Sequence, residues 1–366
     1  VIPDTSISFL RGQGDGSFYA RRVFNVQGLG AQQKFNNASL TSIASGNRDA
    51  DANPDLASLD SVSSQIIVLR GKKDGTFGGP RRFQSGKGAV TVALADLNGD
   101  GKTDMVTDNS AGISILIGNG NGNFAKHVDY KGSSAAHFIA TGDVNGDGKI
   151  DVIAANDSAK TVTVFLNDGA GHFNTHLDTS MSNEPFLVAV GDFNGDGKLD
   201  VITANRGDTH AATILIGNGD GSFAVGTTYA TKHVNGIGVL GLAVADFNLD
   251  GKLDFAIGSG TTVYVFPGNG DGTFGNYVPT PNILSYAMQA GDFNRDGKPD
   301  LVVVFDGDEE LLIGQGDGTF KVQDQGAVES SFAAAVADFN LDGAPDIVLG
   351  GDISNTVTVL LNTGAK

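Results

Sequence analysis

Short apolar segments, separated by clusters of Gly, Asp and Asn, run the length of the chain, and none shows the spacing of an amphipathic helix. One recurring segment, such as Leu187-Val188-Ala189-Val190, precedes an Asp-rich turn. The residue before that turn is always Gly or Ala, and Ala stands three before it in six of seven copies, Gln289 being the exception. Period-2 alternation with one small face predicts a strand packed where space is tight. After the turn comes a continuous apolar run (Val201-Ile202-Thr203-Ala204, Leu301-Val302-Val303-Val304, Ile347-Val348-Leu349), which predicts a strand buried on both faces. A third strand follows, as in Val162-Thr163-Val164-Phe165-Leu166, and then a Gly-rich turn ending in Phe, as in residues 217–223, which opens a fourth.

The Asp-rich turn is a nine-residue pattern, D-x-N-x-D-G-x-x-D, intact at 96–104, 143–151, 192–200, 246–254, 292–300 and 338–346 and degenerate at 47–55. It recurs roughly every 48 residues, close to the period of four-stranded propeller blades. The expected fold is therefore all-β: one seven-bladed β-propeller of four-stranded antiparallel blades over residues 1–366, each first strand lining the central axis. Third-strand sequence occurs eight times, from Ile7-Ser8-Phe9-Leu10 to Val357-Thr358-Val359-Leu360-Leu361, so one copy is surplus. The last blade lacks a fourth strand, which 18–26 could supply, closing the ring by pairing the N- and C-terminal strands. The surplus strand is expected on the edge of the closing blade. Strand addition to a second molecule and the cut end of a longer tandem chain are the alternatives.

Composition narrows the function. The chain has no Cys, which excludes disulfides, a thiolate nucleophile and Cys-ligated zinc. A formal charge of −18 argues against nucleic acid or an anionic membrane surface as partner. No stretch approaches the about 18 to 20 apolar residues of a membrane helix, so no membrane insertion is expected. Nor does a basic, apolar leader precede the repeats, which leaves localisation to indirect argument.

The acidity has a chemical reading. Ca²⁺ takes six to eight oxygens, and the motif offers side-chain oxygens at positions 1, 3, 5 and 9 with a backbone carbonyl at position 7. Gly at position 6 permits the tight turn. The candidate ligands, in that order with the position-7 carbonyl fourth, are Asp96, Asn98, Asp100, Lys102 and Asp104; Asp143, Asn145, Asp147, Lys149 and Asp151; Asp192, Asn194, Asp196, Lys198 and Asp200. They continue with Asp246, Asn248, Asp250, Lys252 and Asp254; Asp292, Asn294, Asp296, Lys298 and Asp300; Asp338, Asn340, Asp342, Ala344 and Asp346. The degenerate copy offers Asn47, Asp49, Asp51, Asn53 and Asp55, but Ala52 replaces the Gly, so its site is expected to be the weakest. Three Asp per motif account for half of the 42 acidic residues. A single copy leaves the Asx-rich turn as the lesser alternative, but carboxylates clustered at fixed offsets in seven copies repel one another unless a cation or protons neutralise them. Up to seven Ca²⁺ ions, one per blade, are expected.

These motifs and the Gly-rich turns together resemble the FG-GAP/VCBS class of repeats, whose best-known relatives are the propellers of integrin α chains, over nearly the whole sequence. The Gly-Ala-Pro loop of the family is not in its usual place, which puts the likeness nearer the bacterial VCBS branch. The resemblance implies metal loops on one face and ligand-binding loops on the other. The partner face would then include the loops near Asp60, Asn109, Asp157, Asp208, Gly260, Asp308 and Asp352.

Other features read more plainly. Arg206-Gly207-Asp208 spells an integrin-recognised tripeptide, though chance explains it in so Gly- and Asp-rich a chain. His127, His137, His172, His176, His210 and His233 show no metal-ligand spacing. His137 and Tyr286 share a slot six residues before their motifs, where two other blades carry Phe; near one mouth of the channel such a pair could serve a lyase or hydrolase, but core packing is the simpler reading. The Gly-rich turns lack the following helix of a phosphate-binding loop. No catalytic residue is expected. The function read from sequence is a secreted or cell-surface, noncatalytic Ca²⁺-binding scaffold with a protein or glycan ligand on its loop face. The alternatives are a polysaccharide-binding lectin, a polysaccharide lyase, and a subunit that self-assembles through the surplus strand. Sugar sites usually stack a ring on an aromatic face, and the chain has no Trp and six Tyr.

Overall fold

The computed structural model describes residues 9–12, 18–19, 23–24, 40–47, 51, 53–206, 211–231, 239–305, 308–327, 331–351 and 357–362. Their regular structure is all strand, in seven sheets taken in chain order. Blade 1 spans 40–84, blade 2 92–131, blade 3 138–180, blade 4 184–229, blade 5 239–281, blade 6 287–327 and blade 7 331–361. Blade 4 shows the plan: Glu184–Gly191, Asp200–Arg206, Ala212–Gly217 and Phe223–Tyr229 pair antiparallel in that order. The first strands neighbour one another in cyclic order, and Ser331–Ala337 of blade 7 packs on Leu40–Gly46 of blade 1. This is the expected all-β, seven-bladed propeller. No helix among the described residues is long and apolar enough to cross a membrane.

The continuous apolar runs explain how blades stack. Second strands are buried along their length, and their alternate residues serve different neighbours. In blade 4, Val201 joins the cluster shared with blade 3, while Ile202 and Ala204 join the cluster shared with blade 5. Each of the seven hydrophobic clusters lies between two successive blades, the one holding Leu40, Phe77, Phe339 and Val359 bridging blades 7 and 1. The core is thus a ring of seven wedges.

Phe at motif position 2 locks three of the wedges at one end. Phe193 meets Phe274 of the next blade edge to face at 5.7 Å, Phe247 meets Phe320 at 5.7 Å, and Phe339 meets Phe77 at 5.8 Å. The Gly that opens the hairpin turn has a steric cause: a Cβ on Gly217 would collide with the carbonyl oxygen of Leu199, which belongs to the motif of its own blade.

The closing blade departs from the plan. Val357–Leu361 pairs on one side with Asp346–Gly351, and its other edge is shared between two N-terminal segments. Phe9–Gly12, the surplus strand, runs parallel to Val359–Leu361, and Val23–Phe24 runs antiparallel to Val357-Thr358. Phe18-Tyr19 pairs with the surplus strand instead of with the C-terminal one. The expected fourth strand over 18–26 is therefore split, because the surplus strand already covers part of the edge. Phe9–Gly12 has a strand on each side, pairing with Phe18-Tyr19 through Arg11 and Gly12. Ile7 and Ser8 lie outside the described residues.

Candidate functional site

Each motif joins the first strand of its blade to the second, and in the six intact copies the loop is built around the position-1 carboxylate. In blade 4, Asp192 Oδ1 accepts hydrogen bonds from the N–H of Gly195 at 2.7 Å and of Asp196 at 3.2 Å, and Oδ2 accepts from Gly197 at 2.9 Å. Asn194 Oδ1 accepts from Asp196 N, and Asp196 Oδ1 from Lys198 N. The loops of Asp96 and Asp143 repeat these bonds. Gly at position 6 is left-handed throughout, with φ from 77° at Gly101 to 84° at Gly251 and Gly343, as expected.

Position 4 is left-handed too, which the sequence reading missed. Gly99, Gly146 and Gly195 take it at φ 72° to 74°, but Leu249, Arg295 and Leu341 take it at 58° to 59°. The available signal was Gly at that position in three copies. A branched residue there is strained by about 1 to 2 kcal/mol. Leu249 is 50% exposed, with its Cδ1 beside Gly316 of the next blade's hairpin. Leu249→Asn, with a residue that tolerates this region, is therefore expected to raise stability by about 1 kcal/mol in urea unfolding; an unchanged or lower midpoint would contradict strain at this position.

The position-9 Asp is more than a prospective ligand. Asp104, Asp151, Asp200, Asp254, Asp300 and Asp346 are fully buried at the start of the second strand. Oδ2 accepts from the N–H of the position-2 residue, Leu97, Val144, Phe193, Phe247, Phe293 or Phe339, at 2.8 to 3.2 Å. Oδ1 accepts from the residue that opens the hairpin turn, Gly118, Asn167, Gly217, Gly268, Gly314 or Asn362, at 2.6 to 2.9 Å. One carboxylate thus pins loop, second strand and hairpin together. Burial pushes Asp151, Asp254 and Asp300 up to about 6 and Asp346 up to about 8, and the position-1 carboxylate of the same loop pushes the same way. Asp104 and Asp200 are raised for the same reasons.

Whether the loops suit a cation turns on their donors. Among the described residues no three His, Asp or Glu side chains already converge as a cage; the carboxylates face the loops' own N–H groups. The donor set still fits a hard ion, since it is oxygen throughout and a carboxylate oxygen that accepts one N–H keeps a further lone pair. Partial relief comes from the position-7 lysine, which reaches the position-5 Asp: Lys102 to Asp100 at 2.8 Å, Lys149 to Asp147 at 3.0 Å, Lys298 to Asp296 at 3.5 Å, and Lys198 and Lys252 to theirs at 3.7 Å. Blade 7 has Ala344 there, and Arg295 of blade 6 reaches Asp342 at 3.6 Å instead. In blade 1, Arg70 holds Asp51 at 3.2 Å, Asn53 N donates to Asp51, and Asp55 takes its usual place under Gly71. Asp49 and Ala52 lie outside the described residues.

The loops also join blades. The position-2 carbonyls of Val144, Phe193 and Phe247 accept from hairpin Gly221, Gly272 and Gly318 of the following blade at 3.0 to 3.2 Å.

A cavity of about 690 Å³ opens along the axis between the inner strands. Thr41, Val90, His137, Phe186, Leu240 and Tyr286, each six residues before its motif, line it. Core packing was the simpler reading of His137 and Tyr286; both line this cavity, each just before the inner strand of its blade, and Tyr286 also packs on Phe305 at 4.5 Å. Gln289, exposed, lines it as well. His137 Nε2 lies 3.1 Å from Asp157 Oδ1, Arg206 Nη1 donates to Asp157 Oδ2 at 2.8 Å, and the guanidinium carbon sits 3.8 Å from the centre of the Phe186 ring. Arg206 is thereby held against the barrel, which agrees with chance as the source of the tripeptide; Gly207 and Asp208 lie outside the described residues.

The partner-face residues are placed unevenly. Asp60, Asn109 and Asp157 are buried, and Asp60 accepts from Val62 N and Ser63 N in its own turn. They shape the loops and do not display themselves. Asp208 and Asp352 lie outside the described residues, as do His210 and His233. His127 and His172 pair with Asp129 and Asp168, at 2.8 and 2.9 Å.

The fold and loops define a propeller scaffold whose blades each carry an Asp-rich loop on one face. The model of the FG-GAP-like repeat matches residues 48–107, 143–203, 192–257, 246–303 and 292–349. The chain belongs to that family. No curated protein matched it. Among solved structures it resembles BBS1N in complex with ARL6DN, at 13% identity and a TM-score of 0.61 in lead-soaked crystals, over 88% of this chain and 92% of that one. It also resembles an Agrocybe aegerita lectin described as recognising non-reducing terminal N-acetylglucosamine, at 20% identity and a TM-score of 0.53, over 90% of this chain and 92% of that one. At these identities the likeness is one of fold.

Proposed function

We propose that this FG-GAP propeller is a noncatalytic, Ca²⁺-binding scaffold of the cell exterior, whose loop face engages a protein or glycan partner. The observation that carries the reading is the motif loop, in which three carboxylates and an amide oxygen are drawn into nine residues and face at most one lysine or arginine. In blade 4 the ion would be held by Asp192, Asn194, Asp196 and Asp200 with the carbonyl of Lys198, and the other motifs offer the same offsets. Bound there, Ca²⁺ would supply positive charge where like charges crowd. Since these loops carry the hydrogen bonds and Phe contacts to the next blade, the ion would tighten the ring as well as the loop. Extracellular modules bind Ca²⁺ with dissociation constants of about 10⁻⁴ to 10⁻³ M, which suits a secreted or surface protein.

The lyase alternative is less well supported. Asp157, the carboxylate of the axial cluster, is buried and already accepts from Arg206 and Ser158, so it is a poor general base. A glycan partner stays within the proposal, and the fold shared with the mushroom lectin is consistent with it.

Thermal unfolding with and without EDTA, followed by calorimetric titration of Ca²⁺, tests the scaffold. Chelation is expected to lower the melting temperature, and about seven ions, one per motif, to restore it. An unchanged melting temperature would reduce the motifs to simple turns, and submicromolar affinity would remove the argument for the cell exterior.

A further inference from the structure

The axial cavity differs in charge from the rest of the molecule. The chain carries a formal charge of −18, yet among the described residues lining the cavity there is no Asp or Glu, and Arg206 is the single permanent cation. Asp157, its partner, is not a lining residue and is buried. The pair therefore turns its positive end to the cavity and keeps its negative end within the protein.

Arg206 is also held in place. Asp157 fixes Nη1 from one side and the Phe186 ring supports one face of the guanidinium. Its side chain remains 46% exposed, and no other partner is found for it among the described residues. A planar guanidinium with an open edge matches a carboxylate through paired N–H bonds, and anchoring it beforehand lowers the entropy lost on binding. Most of the remaining wall is apolar, including Phe138, Leu240, Leu242 and Met288. A volume of about 690 Å³ lies within the range of small-molecule sites.

We propose that the axial cavity binds a small carboxylate with an apolar body, its carboxylate on Arg206 and its body against Phe186 and the apolar wall. The site is formed by the inner strands and by Arg206 at the end of a second strand, not by the Asp-rich loops, so it does not depend on the metal reading. A free organic acid and the C-terminus of an apolar peptide present the same chemistry.

Calorimetry in the presence of Ca²⁺ distinguishes these, with 4-phenylbutyrate and its amide as one pair and a short peptide ending in phenylalanine, free acid or amidated, as the other. At least one acid is expected to bind saturably, its amide and the Arg206→Gln variant to bind about ten- to hundredfold more weakly, and Arg206→Lys to fall between. Binding by the peptide alone would identify a chain terminus as the ligand, and binding by phenylbutyrate a free acid. The melting temperature of each variant reports whether it is folded; if Arg206→Gln does not fold, the acid against amide comparison on the unaltered protein decides. Equal binding of acid and amide, no saturable binding of either acid at millimolar concentration, or undiminished binding by folded Arg206→Gln would overturn the proposal.

Discussion

Asp254→Ala is expected to destabilise the protein by about 3 kcal/mol or more, because buried N–H groups that lose their acceptor cost about 1 to 3 kcal/mol each. Asp254 is fully buried and takes hydrogen bonds from Phe247 N at 2.9 Å, Asn248 N at 3.2 Å and Gly268 N at 2.7 Å. Removing the carboxylate leaves these donors facing one another with no room for bulk water. Asp254→Asn should also destabilise, since its amide must turn an NH₂ toward one of the same N–H groups. Urea unfolding in EDTA separates the two roles of this residue. A structural staple keeps its effect without metal, whereas a residue that acted only as a ligand would show none, and that result would refute the staple.

Phe247→Ala is expected to cost about 3 to 5 kcal/mol, the usual range for emptying a buried Phe site. The ring is 1% exposed and meets Phe320 of the next blade edge to face at 5.7 Å, in the wedge that also holds Val263, Met288 and Leu301. Phe247→Leu, which keeps much of the volume, should cost about 1 to 2 kcal/mol. Both are read from the urea midpoint. Equal effects from Ala and Leu would mean that the edge-to-face ring contact, not filled volume, holds the blades together at this point.

Both residues sit in the same nine-residue motif, and this bears on how the family's repeats work. The loop has usually to be considered as a cation site, yet here its position-2 and position-9 residues already tie three strands and two blades together through protein groups alone. A cation would act on a junction that the chain has already built. The axial cavity is lined by residues of the inner strands, so the site at Arg206 uses none of the motif carboxylates.

Much of this was legible in the order of residues. A repeat with an apolar strand before an Asp-rich turn, a fully apolar strand after it and a Phe-ended hairpin determines the four-stranded blade, because strand periodicity and turn chemistry are local. Seven motif copies determine the number of blades. The family and the prospective oxygen donors follow from the same spacing. Only the tertiary structure decided what depends on residues distant in sequence. It showed Asp254 receiving the N–H of Gly268, Leu249 in a left-handed turn that three other blades reserve for Gly, and the N-terminal segments sharing one edge of Val357–Leu361. It also brought His137, Phe186 and Arg206 to one cavity, with Asp157 buried behind them. The cluster joins two successive blades, His137 and Asp157 from blade 3 and Phe186 and Arg206 from blade 4, and only their packing side by side brings these groups into contact.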